Sequence, residues 1–174
     1  TNTVYLTDVE APTEAVLGQV DQAWTQLMAG LNVERLILAA TMLGIAQRAF
    51  DDALAYAKER KQFDVPIASF QAVAHRAADA YIDVEGIRLT ARQALWRLSV
   101  DMPASAEVAT AKFWAAWGGQ RVVHTAQHLH GGVGVDRDYP LHRYFLAAKE
   151  LELQLGGTTQ QLLSLGRLIA AEPV

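Results

Sequence analysis

The sequence predicts an all-α fold, an antiparallel up-and-down four-helix bundle with short extra helices. Apolar residues recur at steps of three, four and seven along most of the chain, which indicates amphipathic helices. Proline and glycine interrupt this pattern at only a few points, and the connections left between the helices are short, which favours antiparallel neighbours. The 174 residues suffice for one well-buried core and are too few for two large domains.

Composition argues against several classes of function. The net charge is −4 and basic residues gather on no single face, so no nucleic-acid partner is expected. The sequence has no cysteine, which excludes disulfides and thiolate chemistry and fits a cytoplasmic location. No uninterrupted apolar run approaches the roughly 20 residues that span a bilayer, and no signal peptide is visible, so no membrane span is expected.

The amino-terminal segment reads as a short strand. Over residues 1–9, Val4 and Leu6 would lie on one face of it. Because a strand without a partner is not stable, we expect residues 1–19 to be the end of a β domain and its linker, the rest of which is absent here. Residues 20–174 then form the predicted C-terminal helical bundle domain.

The first two predicted helices are separated by a cap signal. Asp21 is the expected cap of a helix that ends near Gly30, and Asn32 is the expected cap of the next. The second helix should end near Phe63, because Pro66 favours extended backbone before it. Its predicted core face consists of Leu36, Ala40, Leu43, Phe50 and Leu54.

Two further long helices and two shorter ones complete the prediction. Ser69 is the expected cap of the third helix, which stops before Met102-Pro103. The fourth begins near Ser105 and ends at the pair Gly131-Gly132. The two shorter helices cover residues 140–155 and the stretch from residue 158 onward, with two glycines between them.

Four groups of motifs follow one another in a specific order. They are Leu43-Gly44-Ile45-Ala46 with Tyr56-Ala57-Lys58-Glu59-Arg60-Lys61-Gln62-Phe63; Pro66-Ile67 with Phe70-Gln71; Leu129-His130-Gly131-Gly132-Val133-Gly134 with Asp138-Tyr139-Pro140 and Arg143; and Gly156-Gly157-Thr158-Thr159-Gln160. Each group alone is weak evidence for any one family. In this order and at these spacings, the set resembles the C-terminal domain of acyl-CoA dehydrogenases over essentially the whole chain.

The resemblance implies an enzyme made of an N-terminal helical domain, a middle β domain and this bundle. It implies a flavin adenine dinucleotide (FAD) held without a covalent bond between domains and between subunits of a homo- or heterotetramer. The implied reaction is the α,β-dehydrogenation of an acyl-CoA thioester, with electrons passed on to an electron-transfer flavoprotein.

The resemblance also implies a catalytic base, although the usual one is missing. In many family members the base is a glutamate at the position of Gly156. A minority, similar to the isovaleryl- and long-chain-specific enzymes, has glycine there and a glutamate before an arginine on the first long helix. Glu34-Arg35 matches that pattern, which implies Glu34 as the base and Arg35 as a substrate-binding residue. The alternative is that Glu34 is an ordinary carboxylate in a first helical turn, where the helix dipole favours it.

Seven residues are implied as cofactor contacts. Arg60 matches an arginine on the flavin pyrophosphate, and a guanidinium can bind phosphate oxygens in bidentate fashion. Gln71 matches a residue on the adenine-nucleotide half. Ordinary surface, helix-stop or capping roles remain open for Arg60, Gln71, the Gly131-Gly132 pair and Thr158. The other five are His128, which replaces a frequent glutamine, together with Gly131, Gly132, Thr158 and Gln160.

The spacing along the second helix carries a consequence for assembly. Glu34 and Arg60 are 26 residues apart, which corresponds to about 39 Å along a helix. We therefore expect them to serve different active sites in an oligomer. Residues 142–145 and 153–165 also resemble bacterial chains that pair with an unlike partner in heterotetramers acting on steroid side-chain CoA esters. Such a chain can be a non-catalytic subunit that completes its partner's flavin site, and a helical interaction domain without flavin is a third alternative.

No metal site is predicted. His124 and His128 are one helical turn apart, but no third ligand is convincingly placed beside them. Trp96, Trp114 and Trp117 are expected to pack in the core or in a subunit contact.

Overall fold

The structure is a computed structural model that describes residues 2–171. Over that range it contains five α-helices, three short 3-10 helices and one small hairpin. The α-helices are α1 (Ala23–Glu59), α2 (Gln71–Ser99), α3 (Ser105–His130), α4 (Leu141–Leu153) and α5 (Thr158–Ala171). The 3-10 helices are Thr13–Ala15, Ile67–Ser69 and Gly131–Val135, and the hairpin pairs β1 (Lys61–Gln62) with β2 (Val65–Pro66).

The first four helices run alternately up and down, as predicted. Contacts between neighbouring helices occur in opposite order along the two partners, which is the signature of antiparallel packing. The contacts are Gln47–Arg88 and Phe50–Tyr81 between α1 and α2, Asp83–Arg121 and Arg97–Glu107 between α2 and α3, and Lys112–Leu151 and His124–Phe145 between α3 and α4. The antiparallel four-helix bundle is therefore confirmed, with α5 as the additional helix.

Helix α3 is the centre of the bundle and packs against all four other α-helices. This is feasible because many of its buried positions carry small residues. Gly119 shows how close the packing is, since a Cβ atom at this position would lie 2.4 Å from the sulfur of Met42. The largest apolar side chains that are almost completely buried are Met42, Val84, Ile87, Val108, Val122 and Val123.

Helix α1 is continuous, so the predicted break between Gly30 and Asn32 is wrong. The Asn32 side chain is engaged in contacts within the bundle: its Nδ2 donates to Ser105 Oγ at 3.3 Å, and its Oδ1 accepts from Arg35 Nη1 at 3.2 Å. These contacts remove the local advantage of a cap. The other predicted cap, Asp21, lies two residues before α1 and has a φ of 65°.

The face of α1 that enters the core also differs from the prediction at one position. Leu36 and Phe50 are buried as predicted, but Ala40 is exposed and its neighbour Ala39 is fully buried. One step along a helix turns the side chain by about 100°, so an error of one residue moves a side chain from the core to the surface.

The end of α1 lies at Glu59, four residues before the predicted position near Phe63. Phe63 and Asp64 have φ values of 54° and 65° and form the two-residue turn of the β1–β2 hairpin. Positive φ at both central residues is characteristic of the tightest hairpin turns. Val65 lies in strand β2, so the extended backbone expected before Pro66 is present, within a hairpin that the sequence did not predict.

Ser69 does not cap α2, contrary to the prediction. Its Oγ donates to the carbonyl oxygen of Pro66 at 2.7 Å, within the short 3-10 helix that precedes α2. Helix α2 begins at Gln71 and has no side-chain cap. A local hydrogen bond has replaced the capping bond, which is a common competition for serine.

The predicted amino-terminal strand is not formed over residues 2–9, and Thr1 lies outside the described residues. Val4 and Leu6 are exposed, and no segment of residues 2–171 pairs with them. A strand requires a neighbour, which explains why none forms in this chain. That residues 1–19 belong to a β domain stays a prediction. Residues 172–174 of the predicted helical domain also lie outside the described range.

By length and composition alone, α1 could cross a membrane. The sequence showed no uninterrupted apolar run, because charged residues divide the apolar stretches of this helix. Although only 17% of its most apolar stretch is buried, eight of its residues are buried against the other helices. Helix α1 is thus a core helix of the bundle.

The close crossing of α1 and α3 predicts opposite effects for two glycine substitutions. Gly119→Ala is expected to lower the free energy of unfolding by about 1–3 kcal/mol, because the added methyl group overpacks the contact with buried Met42. The matched control Gly44→Ala has open space at its Cβ and should raise it by about 0.5–1 kcal/mol. Chemical denaturation measures both, and a Gly119→Ala protein as stable as the wild type would contradict the packing described.

Candidate functional site

Glu34 faces a cavity of about 680 Å³ between α1 and the turn that follows α4. Its side chain is exposed to this space. Among the described residues that line the cavity, Glu34 is the only carboxylate, and four of the others are leucines. The lining residues are Gln26, Leu27, Gly30, Leu31, Glu34, Leu38, Gln154 and Leu155. The cavity thus offers one acidic group in largely apolar surroundings.

Arg35 connects α1 to the turn that carries Gly156. Its Nε donates to the carbonyl oxygen of Leu155 at 3.4 Å, although the two residues are 120 positions apart in the chain. Its Nη1 donates to Asn32 at 3.2 Å. The guanidinium is therefore partly committed to holding the turn. As a result Glu34 and Leu155, the neighbours of Arg35 and Gly156 in the sequence, line the same cavity.

The backbone conformation of the turn favours glycine at position 156. Gly156 has a φ of 96°, a region in which residues with a side chain are strained. A Cβ atom there would lie 2.9 Å from Gln161 Nε2 and 3.3 Å from Gln160 Cβ. A glutamate at this position would have to displace these neighbours. Glu34 is the carboxylate on the cavity side of the turn, whereas the carboxylates of Glu150 and Glu152 are engaged by Gln154 and Lys149.

A buried lysine lies under the same turn, and sequence reasoning missed it. The Lys112 side chain is 1% exposed, and its Nζ donates to the carbonyl oxygens of Leu151 at 2.9 Å and Glu152 at 3.1 Å. Burial lowers the pKa of Lys112 to about 8; the Glu152 carboxylate opposes this shift and Arg35 adds to it. The available signal was its place beside Ala111 on the buried face of α3.

Thr158 and Gln160 lie on different sides of the turn. Thr158 is the first residue of α5 and lines a second cavity of about 630 Å³, to which Arg76 and His124 also contribute. Gln160 lines a third cavity of about 530 Å³ that includes Arg35 and Gly156. Gln160 therefore shares a cavity with Arg35, the neighbour of Glu34, whereas Thr158 lines a cavity to which neither Glu34 nor Arg35 contributes.

The other predicted cofactor contacts gather at the far end of α1. Arg60 follows this helix, and Gln71 begins α2 just after the hairpin. The carboxyl ends of α1 and α3 are in contact, because the rings of Tyr56 and His130 stack with their centroids 4.3 Å apart. His128 lies in the last turn of α3, with the two glycines Gly131 and Gly132 directly after it; all five predicted contacts are exposed.

His130 fixes the end of α3, a role that the sequence did not reveal. Its Nδ1 donates to the carbonyl oxygen of Ala126 at 2.8 Å, and its Nε2 accepts from the Tyr139 hydroxyl at 3.1 Å. Burial raises the pKa of Tyr139, and neighbouring acidic groups including Asp52 add to that shift. These contacts hold the glycine pair in place although the pair itself is exposed.

The residues at this end fit a phosphate-bearing ligand. Within residues 2–171, no carboxylate lies at ion-pair distance from the Arg60 guanidinium. Gly131 has a φ of 62°, and a Cβ atom on either Gly131 or Gly132 would meet nothing within 4 Å. The backbone here is thus open to close approach, and an uncommitted guanidinium is available to bind phosphate oxygens.

The two groups of predicted residues do not converge in one chain. Arg60 and Glu34 are separated by 26 residues of nearly continuous helix, or about 39 Å. The structure places Glu34, Arg35 and Gln160 around the Gly156 turn, with Thr158 on the other side of that turn. Separately, it places Arg60, Gln71, His128, Gly131 and Gly132 at the far end of α1. Within residues 2–171, no group of three or more potential metal-ligating side chains occurs.

Comparison with known families gives a match over most of the chain. The family model described as "Acyl-CoA dehydrogenase, C-terminal domain" matches residues 21–169. The acyl-CoA dehydrogenase FadE27 of Mycobacterium tuberculosis is 54% identical over 150 residues, which cover 82% of this chain and 40% of that protein. The chain thus spans about 40% of the length of this curated relative.

Two solved structures match most of the chain at high sequence identity. The crystal structure of the ChsE4–ChsE5 complex from Mycobacterium tuberculosis matches with a TM-score of 0.80 and 55% identity, over 82% of this chain and 39% of the matched chain. A variant of the Tcur3481–Tcur3483 steroid ACAD matches with a TM-score of 0.78 and 48% identity, over 80% of this chain and 39% of the matched chain.

The lowered pKa of Lys112 predicts a pH-dependent contribution to stability. Below about pH 8 the ammonium is charged in both states, so its burial cost is present in full. Between about pH 8 and the unfolded value of 10.5, the folded chain has lost a proton that the unfolded chain still binds, so stability rises with pH.

The melting temperature of the assembled protein, measured from pH 7 to about pH 10.5, tests this. The melting temperature of the wild type should rise relative to that of a Lys112→Met variant as the pH increases through this window. The control Lys149→Met removes an exposed lysine of α4, and the difference between its melting temperature and that of the wild type should not change with pH. A difference in melting temperature between the wild type and Lys112→Met that stays constant across this pH range would contradict the prediction.

Proposed function

Since the chain belongs to the acyl-CoA dehydrogenase family, whose members are flavin-dependent, we propose that it is the C-terminal domain of an FAD-dependent enzyme that oxidises acyl-CoA thioesters. The reaction forms a double bond between the α and β carbons of the acyl group. One observation carries this proposal: Glu34 is the lone carboxylate of a largely apolar cavity, next to a turn built for glycine where the usual base would be.

In the proposed mechanism, the Glu34 carboxylate accepts the proton from the α carbon. Removal of this proton requires a polarised thioester carbonyl and a base shielded from water. The leucines around Glu34 provide an apolar wall, and an acyl group seated against them would exclude water from the carboxylate. When bound, FAD supplies the acceptor for the β hydrogen, which leaves with its electron pair as a hydride.

Arg35 is proposed to bind the substrate while it holds the turn. Its Nε and Nη1 are engaged with Leu155 and Asn32. The remaining N–H groups of the guanidinium are therefore available for oxygen atoms of the CoA moiety. One side chain would thus link the position of the substrate to the position of the turn.

The flavin is proposed to be shared between chains. Thr158 and Gln160 would contact it from the region of Glu34, at the amino terminus of α5, which favours anions. Arg60, Gln71, His128, Gly131 and Gly132 would contact a different flavin, because α1 keeps them about 39 Å from Glu34. This arrangement requires at least two chains, and we propose a homo- or heterotetramer in the cytoplasm that delivers electrons to an electron-transfer flavoprotein.

A second candidate function is that of a non-catalytic subunit that completes the FAD site of an unlike partner. It is favoured by the similarity to the ChsE4–ChsE5 complex and to the Tcur3481–Tcur3483 steroid ACAD. In that case the substrate class would be bulky steroid CoA esters, and the catalytic carboxylate would come from the partner. A flavin-free helical interaction domain has no comparable support, since the family is flavin-dependent.

Replacing Glu34 by glutamine distinguishes the two candidates. In the full-length assembled enzyme, Glu34→Gln should lower the rate of flavin reduction by acyl-CoA about 10²- to 10⁴-fold, because the amide cannot accept the proton. The control Asp51→Asn removes another exposed carboxylate of α1 and should leave the rate unchanged. Stopped-flow absorbance of the flavin measures both rates.

Each outcome of this experiment has a definite meaning. Full activity of Glu34→Gln would show that Glu34 is not the base and would favour the non-catalytic subunit. A colourless wild-type assembly with no flavin absorbance would contradict both candidates.

A further inference from the structure

Lys112 lies at the carboxyl end of α4, directly below the turn that borders the Glu34 cavity. The last turn of any helix leaves carbonyl oxygens without partners inside the helix. Lys112 reaches two of them from α3, those of Leu151 and Glu152. A cation at this end also interacts favourably with the helix dipole.

The burial of this lysine is costly, and packing alone does not explain it. A buried ammonium loses its hydration, and only partners that are well placed offset the loss. The Glu152 carboxylate is engaged by the exposed Lys149 at 2.6 Å, so the partners of Lys112 are backbone carbonyl oxygens. A methionine would fill a similar volume without the cost of a buried charge.

Two further side chains hold the same segment. Gln161 Nε2 donates to the carbonyl oxygens of Leu155 and Gly156, both at 3.1 Å. Arg35 donates to the same Leu155 oxygen. Side chains from α1, α3 and α5 therefore bind four carbonyl oxygens between residues 151 and 156. Such a density of side-chain bonds to one short segment indicates that its position is specified.

We propose that Lys112 is a positioning residue that anchors the end of α4 and thereby fixes the Gly156 turn beside Glu34. The inference rests on the proposed role of Glu34, because the turn matters for catalysis only if the substrate's α carbon lies between them. Lys112 acts through the backbone of residues 151–156 and touches neither substrate nor cofactor.

The test uses the full-length assembled enzyme and a Lys112→Met variant. This variant should retain flavin absorbance and assembly, while kcat falls about tenfold or more, because a displaced turn misaligns substrate and base. The amide hydrogens of residues 154–157 should exchange about tenfold faster, since the segment loses its anchor. The control Lys149→Met removes an exposed lysine of α4 that bonds the Glu152 side chain and not the backbone carbonyl oxygens, and it should change neither quantity.

The hydrogen-exchange readout separates this proposal from the proposed function. If Glu34→Gln is fully active, the proposed base is wrong, but faster exchange in Lys112→Met still supports the anchor. Unchanged exchange and unchanged kcat in Lys112→Met overturn it.

A wild-type measurement covers the case in which Lys112→Met does not assemble. The amides of residues 154–157 should then exchange about tenfold more slowly than those of the loop at residues 136–139, which no buried lysine anchors. Equal exchange of the two segments would overturn the proposal.

Discussion

The arrangement of the candidate sites depends on the length and continuity of α1. This helix has 37 residues, which corresponds to a rod of about 55 Å. It contains no proline, and its eight buried residues pack against α2 and α3 along most of its length. A bend that brought its ends together would have to break this packing. The region of Glu34 and the region of Arg60 are therefore held apart by the core itself.

The region around Glu34 joins segments that are distant in the chain. Glu34 and Arg35 come from α1, Lys112 from α3, and Gly156 from the turn after α4. The hydrogen bonds from Arg35 and Lys112 end on backbone carbonyl oxygens, so they depend on the path of the turn and not on its side chains. The positive φ of Gly156 strains any residue that has a side chain, so this turn disfavours a glutamate at position 156.

Periodicity and chain-breaking residues predicted most of the fold, because they report local backbone preferences. The starts of α3 and α5 and the glycine end of α3 follow from them. The break predicted before Asn32 failed because the contact with Ser105 overrides a local cap, and no local pattern contains that contact. Lys112 was missed because a charged residue next to a core stripe reads as a surface residue. The proximity of Glu34 and Gly156 could be inferred only from the family resemblance, since it depends on packing across 120 residues.

The most direct test of this account is an experimental structure of the complete, flavin-loaded assembly. The account predicts that each flavin is contacted by the Thr158 and Gln160 region of one chain and by Arg60 and the Gly131–Gly132 pair of another. Finding Glu34 and Arg60 of a single chain around the same flavin would contradict it. A structure with no flavin near either end of α1 would contradict it equally.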